Sequence, residues 1–404
     1  MILDDNFNLG VNTPNYSNLL DKIEEVEKSI DFTRPIGEYP TASDIANYIK
    51  HRKGTQHIKT KSINIGGKAV QDAMEKYLAN DSYSSGQFKA ALKTPLHLFF
   101  EREDEARREL DKLQDKKHFK LGNFLHECML EPTKFGRVTV EPKLSRASND
   151  DLDKLIVFWE GELEKLDVCE VNGELLTPQQ VLDLASTEVP STEKRIDKKK
   201  YLEIIEKATG ITAISETDKI IVDVVKRNYL AYGNGIIPKL LKHSKREISL
   251  YTEDVSTGLK VKCRPDSMQF KENIGVNAII SVKSTSAESL SHFYYQSAKL
   301  NYELSEGMYQ DVASQVTGRD FNTTIMIMLQ TVAPYGVGVM VWNGEDIEIG
   351  KHKYKQALQT AHECELHGKY PTYDAFAEEG NLGLIDMKQP DWNTKVLQPV
   401  DLSN

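Results

Sequence analysis

Apolar positions in this chain switch from helical spacing to alternation about two thirds of the way along. From Ser82 to Glu101 the run SYSSGQFKAALKTPLHLFFE places Phe88, Ala91 and Leu92 at helical spacing. Ser84 or Ser85 precedes them, and a serine there can accept from the free backbone N–H groups of a first helical turn. A second helical run is expected from Ala106 to Leu130. Between about 136 and 245 the pattern is charged and mostly helical. Leu152, Leu155, Ile156 and Trp159 form one stripe, and Ile220, Ile221, Val224, Val225 and Tyr229 form another. An inserted helical layer is expected there.

Five short runs then read as strands: Glu247 to Tyr251, Leu259 to Arg264, Ala278 to Val282, Thr323 to Leu329 and Val337 to Trp342. A helical segment from Ala287 to Val316 separates the third from the fourth. Another, Lys351 to His367, follows the fifth and is closed by Gly368 and Pro371. Helix, three strands, helix, two strands, helix predicts an α/β (α+β) fold with a mixed central sheet flanked by helices. Residues 1–80 mix short helical patterns with turn signals such as Ile65-Gly66-Gly67 and form an expected N-terminal extension. The domain is expected over 81–378, with 379–404 as a C-terminal tail.

Composition narrows the classes. With 404 residues, 39% hydrophobic and 28% charged, the chain can bury one large core or two modest ones. Its net charge of −10 excludes a protein that coats nucleic acid through its overall field, so any contact with DNA must be local. The densest basic run, Lys194 to Lys200, is read as a solvated surface. No stretch approaches the roughly 18 apolar residues of a membrane span, and the start MILDDNFNLG lacks the features of a signal peptide. Cys128, Cys169, Cys263 and Cys364 have no C-x-x-C spacing and are expected to be ordinary thiols in a reducing cytoplasm.

Candidate chemistry lies among the strands. From Gly258 to Asp266 alternation turns Leu259, Val261 and Cys263 toward a core and the basic residues away, and Asp266 arrives at the strand's end. The next strand carries Ser281 and Lys283 on one face and Ile280 and Val282 on the other. An acid and a lysine on neighbouring strands can converge. Hydrolysis of a phosphodiester needs carboxylates to hold a divalent cation and a positive group near the attacking water.

Several stretches match together. They are Glu247-Ile248-Ser249, Lys262-Cys263-Arg264-Pro265-Asp266 and Val282-Lys283-Ser284-Thr285. Upstream, Leu121-Gly122-Asn123-Phe124-Leu125-His126, then Leu130-Glu131-Pro132 and Phe135, has the form G-x-x-x-H. Near the end, Gly368-Lys369-Tyr370-Pro371-Thr372-Tyr373 is close to G-x-W-P-x-Y. In these segments the chain resembles the exonuclease VIII (RecE) family of phage and prophage recombination, within the PD-(D/E)XK nuclease superfamily, over roughly Ser82 to Tyr373. The resemblance implies a restriction endonuclease-like core in which His126 and Asp266 bind Mg2+ or Mn2+ and the Val282 carbonyl completes the site. Lys283 then positions or activates the water. It also implies double-stranded DNA ends as substrate, a single-strand annealing protein as partner, a homo-oligomer around the duplex, and the cytoplasm of a bacterial cell or phage-infected host. Glu247 is either a carboxylate supporting the ligands or a strand-end charge.

The pattern departs from that family in two places. Ser281 stands where the family has an acid two residues before the lysine, and a hydroxyl is a poor substitute for an anionic ligand. The family's Gln-x-x-x-Tyr becomes Ser305-Glu306-Gly307-Met308-Tyr309, which keeps the tyrosine alone. In one reading the acid has moved to the helix, as in some restriction endonucleases with Ser-x-Lys. Glu306 then supplies it, beside Ser281 at the metal, on one helical face with Tyr302 and Tyr309. Glu303 is second in line and Glu288 third, the last read first as a capping-box partner of Thr285 at the helix start. In the other reading catalysis has lapsed and the fold is a DNA-binding or protein-binding module, an inhibitor or scaffold. The expected function is a metal-dependent exonuclease acting 5′→3′ on linear double-stranded DNA, with Ser281→Asp expected to raise its activity.

Overall fold

In the computed structural model, residues 39–103, 117–130, 137–171 and 173–388 are described. Residues 106–116 of the expected second helical run, the motif residues Glu131, Pro132 and Phe135, residues 1–38 and the end of the expected tail lie outside them. Thr41 forms a capping box with Asp44 and opens α1 (Ala42–His51). A 3-10 turn (Thr60–Ile63) leads to β1 (Lys68–Val70), and then come α2 (Met74–Ala79), α3 (Ser85–Ala91), α4 (Pro95–Arg102) and α5 (Lys117–Leu130). Of the two serines, Ser84 caps α3, with the Gln87 side chain accepting from its N–H at 2.8 Å. Ile58, Ile63 and Ala69, from the stretch expected to be an extension, are buried in the main core.

The inserted layer comprises β2 (Val138–Val140), α6 (Asn149–Glu164), β3 (Cys169–Val171), β4 (Glu174–Leu176), α7 (Pro178–Glu188), α8 (Arg195–Thr209), β5 (Thr212–Ile214), α9 (Glu216–Ala231) and α10 (Ile236–Leu241). Helices α6 to α8 enclose their own core of Leu152, Leu155, Trp159, Val181, Leu202 and Ile205. The lobe leaves and re-enters the body through β2 and β5, which pair in parallel. Helices α9 and α10 belong to the body instead, through Val222, Val225, Ile237 and Leu240. Lys198, from the basic run, is buried and pairs with Asp153 at 2.5 Å rather than facing solvent.

The remaining elements are β6 (Lys245–Arg246), β7 (Ser249–Glu253), β8 (Lys260–Cys263), β9 (Ser267–Gln269), α11 (Lys271–Ile274), β10 (Asn277–Thr285), α12 (Leu290–Lys299), α13 (Tyr302–Thr317), β11 (Phe321–Gln330), β12 (Val337–Val341) and α14 (Gly344–His367). They build a five-stranded sheet ordered β12-β11-β10-β9-β6, parallel only between β10 and β11, and a three-stranded sheet ordered β1-β7-β8. This is the mixed, helix-flanked architecture expected. The chain crosses between the sheets twice, at Glu247-Ile248 and at Arg264-Pro265-Asp266. The Glu247 N–H donates to the Asp266 carbonyl at 3.2 Å, which ties the two corners together. The helical run expected from Ala287 to Val316 is two helices, broken where Asn301 takes a φ of 47°.

Helix α13 packs on both sheets and is buried along most of its length. One core, with Phe88, Leu250, Val261, Leu304, Met308, Phe321 and Tyr354, lies around it, and the second, with Leu125, Ile280, Val282, Ile325 and Ile327, lies on the other face of the larger sheet. Helix α14 crosses α13 where Gly307 faces Gly350 and Lys351, so closely that a Cβ on Gly350 would overlap the Glu303 carbonyl. Gly350→Ala is therefore expected to lower stability by about 1–3 kcal/mol, read as a fall in the thermal midpoint, because the obstacle is backbone and cannot swing aside. No helix among the described residues is long and apolar enough to cross a membrane, and all four cysteines are buried and free.

Candidate active site

The site starts from a close approach. Helix α5 lies against β10 at Gly122, where a Cβ would come within 2.7 Å of the Ser284 Oγ. One turn later His126 overlies the neighbouring strand residue, its Nε2 3.2 Å from the Val282 carbonyl oxygen. Strand β9 runs antiparallel to β10 with Ser267 opposite Ile280, so Asp266 falls beside Ser281 and Val282. Its Oδ2 accepts from the Val282 N–H at 2.6 Å and lies 3.2 Å from His126 Nε2. Glu247 arrives from the other corner with a φ of 52°, a conformation few non-glycine residues adopt. Arg264 donates to its Oε2 at 2.9 Å, and its Oε1 lies 4.0 Å from His126 Nδ1. Ligand atoms of His126, Glu247 and Asp266 all fall within 4.8 Å of one another.

Beside this cluster lies a second group on the face of β10 that meets α13. Ser281 and Glu306 are wholly buried, and the Ser281 hydroxyl donates to Glu306 Oε2 at 2.7 Å. Glu306 Oε1 has no hydrogen-bond partner and sits 4.0 Å from Lys283 Nζ. That ammonium lies 5.5 Å from the centre of the Tyr302 ring.

Burial and mutual charge set the titration of these groups. Burial alone would raise Asp266, but the charges of His126 and Lys283 and two hydrogen bonds outweigh it and hold the carboxyl at about 2. Burial would lower His126, and the Asp266 carboxylate overrides it and raises the imidazole above its ordinary value. Lys283 is raised despite burial by Asp266 and Glu306. Glu306 and Glu247 are pushed up, chiefly by burial. The arrangement thus keeps one carboxylate firmly ionised and two others with weakened hold on their charge.

One imidazole nitrogen, two carboxylates and a main-chain carbonyl converge, with an unpartnered buried carboxylate oxygen nearby. That donor set, mostly oxygen, fits a divalent cation of the Mg2+ or Mn2+ class. Of the residues expected at the site, His126, Asp266, Val282, Ser281, Lys283 and Glu306 come together. Tyr309 sits farther along α13, packed against the core and hydrogen-bonded to Ser85, with burial raising its hydroxyl well above the usual range. Glu303 turns away to pair with Lys353 at 2.5 Å. Glu288 is no capping partner, because Ser289 caps α12 and Thr285 donates to Gln296. Tyr302 enters the site through its ring, a role its helical spacing alone did not specify.

Residues 84–379 match the family described as PDDEXK-like domain of unknown function (DUF3799). Among solved structures the chain is similar to a candidate exonuclease from Eubacterium rectale, at 11% identity and a TM-score of 0.36, over 82% of this chain and 97% of that one. It is also similar to the protein SSO0001, at 13% identity and a TM-score of 0.20, over 50% of this chain and 96% of that one. No curated protein matches it.

Proposed function

The chain belongs to the family of PDDEXK-like domains of unknown function, and from that premise we propose that it is a metal-dependent deoxyribonuclease of the exonuclease VIII kind. One observation carries this reading: Glu306 reaches Ser281 from α13, at 2.7 Å, and so returns a carboxylate to the position where Ser281 leaves one missing. His126, Asp266 and the Val282 carbonyl would hold the cation, with Glu247 alongside and Glu306 facing it across Ser281. A bound divalent ion would lower the pKa of its water and neutralise charge developing on phosphorus. Lys283, kept protonated by Asp266 and Glu306, orients the attacking water opposite the leaving oxygen. The 5′→3′ polarity, double-stranded ends as substrate, assembly as a homo-oligomer on the duplex and an annealing protein as partner are proposed on the family likeness.

The test is digestion of linear duplex DNA labelled at either end, beside closed circular DNA, with Mg2+ or Mn2+. Metal-dependent loss of the linear substrate alone supports the reading, and the label lost first gives the polarity. Failure to cut either substrate with either metal, in folded protein, would sink it.

Metal binding should also carry a pH signature. A ligand imidazole must be neutral, whereas His126 is held protonated above its ordinary range by Asp266. Below that raised value each ion displaces one proton, so affinity should rise about tenfold per pH unit. The sign is opposite for the metal-free protein. The His126–Asp266 pair contributes stability fully below the unfolded imidazole value, and this is lost as pH rises through the folded one. Calorimetric titration with Mn2+ across that interval checks the slope, and a flat profile would remove His126 from the ligand set.

A further inference from the structure

We propose that Lys89, on α3, binds a backbone phosphate of the DNA strand held at this site, resting as it does against the same Tyr302 ring as Lys283. The inference deepens the nuclease reading and rests on it for the identity of the ligand. Its geometry is direct: Lys89 Nζ lies 5.3 Å from the Tyr302 ring centre and Lys283 Nζ lies 5.5 Å from it. Two ammonium groups thus share one aromatic ring.

Like charges held together repel, and the cost grows as water is excluded. Lys89 shows that cost. Burial and the neighbouring Lys283 bring its amine down to about 8, with Glu306 and Glu303 offsetting part of the effect. Glu303 is already paired with Lys353, and Glu306 with Ser281 and Lys283. Among the described residues no carboxylate lies within ion-pair distance of Lys89, whose one close contact with an aromatic ring is Tyr302. A cation poised beside another cation without its own counterion is relieved when an anion arrives. A nucleic-acid phosphate is the anion that a phosphodiester site admits, and with a net charge of −10 the protein can hold such a substrate only through local groups of this kind.

The experiment is equilibrium binding of a fluorescein-labelled DNA duplex by the full chain in EDTA, titrated from about 50 to 200 mM salt. Lys89→Gln is compared with Lys89→Arg and with Lys93→Gln, an exposed lysine just past the same helix. Lys89→Gln should weaken binding about tenfold on every sequence and lower the salt slope by about 0.9, one phosphate's share, while Lys89→Arg and Lys93→Gln keep the wild-type slope. Matching thermal midpoints show that the fold is intact, and if Lys89→Gln melts early, Lys89→Met, which keeps an apolar stem beside the Tyr302 ring and loses the charge, takes its place with the same expected loss of slope. An unchanged slope in Lys89→Gln, or no binding by the wild type, overturns the inference even if the protein cuts DNA. Lys89-dependent binding by a chain that never cuts would leave the phosphate contact standing and remove the nuclease reading.

Discussion

Asp266→Asn is expected to leave a folded protein whose metal-dependent cleavage of linear duplex has fallen by about three orders of magnitude. Asp266 is the point at which the site's separate parts meet. Its Oδ2 takes the Val282 N–H at 2.6 Å, it faces His126 at 3.2 Å, and its carbonyl holds the corner that carries Glu247. The amide keeps the shape and loses the charge. Without that charge the imidazole should return toward its ordinary value, and Lys283 should lose one of the two carboxylates that keep it protonated. Asp266→Ala should do the same and also cost roughly 1–3 kcal/mol, since the Val282 N–H loses its acceptor. Assays at a temperature well below the lowered midpoint separate lost chemistry from lost fold. Residual cleavage within tenfold of wild type in the asparagine variant would mean that the chemistry lies elsewhere.

The second large effect concerns the carboxylate on α13. Glu306→Gln is expected to lower cleavage by about 100-fold or more while the thermal midpoint stays level or rises. The wild-type side chain is wholly buried, its Oε1 has no partner, and burial works against its charge. A neutral amide removes that penalty and can still accept from Ser281. Ser281→Asp should behave differently from the expectation raised by the family motif. With Glu306 only 2.7 Å from the Ser281 hydroxyl, a second carboxylate would crowd the first in a dry space, so the single variant should be less stable and no more active. Activity should return only in Ser281→Asp combined with Glu306→Gln, which puts the acid back on β10. Equal loss in the double variant and in Glu306→Gln alone would show that the two positions do not substitute for each other.

Much of this was legible in the sequence, for identifiable reasons. The five longest strands showed themselves through alternation, as in β8, or through short β-branched and apolar runs, as in β10 and β11, which are buried on both faces, and Asp266 and Lys283 followed from them. Glu306 was visible because helical spacing put it between Tyr302 and Tyr309. The two- and three-residue strands β1 to β6 and β9 were not, since so few positions cannot establish a period. The break at Asn301 was hidden because helical spacing continues on both sides and an asparagine tolerates the left-handed turn that divides them. Glu247 stayed undecided because its place depends on a positive φ at a corner between sheets, which no local pattern announces. Lys89 could not be found at all. Its significance comes from α3 meeting α13, a contact between segments more than two hundred positions apart in the chain.

The lobe formed by α6 to α8 has a consequence for how this chain can change. Its core is self-contained, and it joins the body through the paired strands β2 and β5. Every residue assigned to the chemistry, from Lys89 and His126 to Asp266, Lys283 and Glu306, lies outside it. Halving or doubling such a connection alters the entropy of closing it by only about 0.6 kcal/mol. The segment between the histidine and the two acids is therefore the region where insertion, deletion or exchange is most readily tolerated, and where relatives can diverge in size while the residues of the candidate site keep their places.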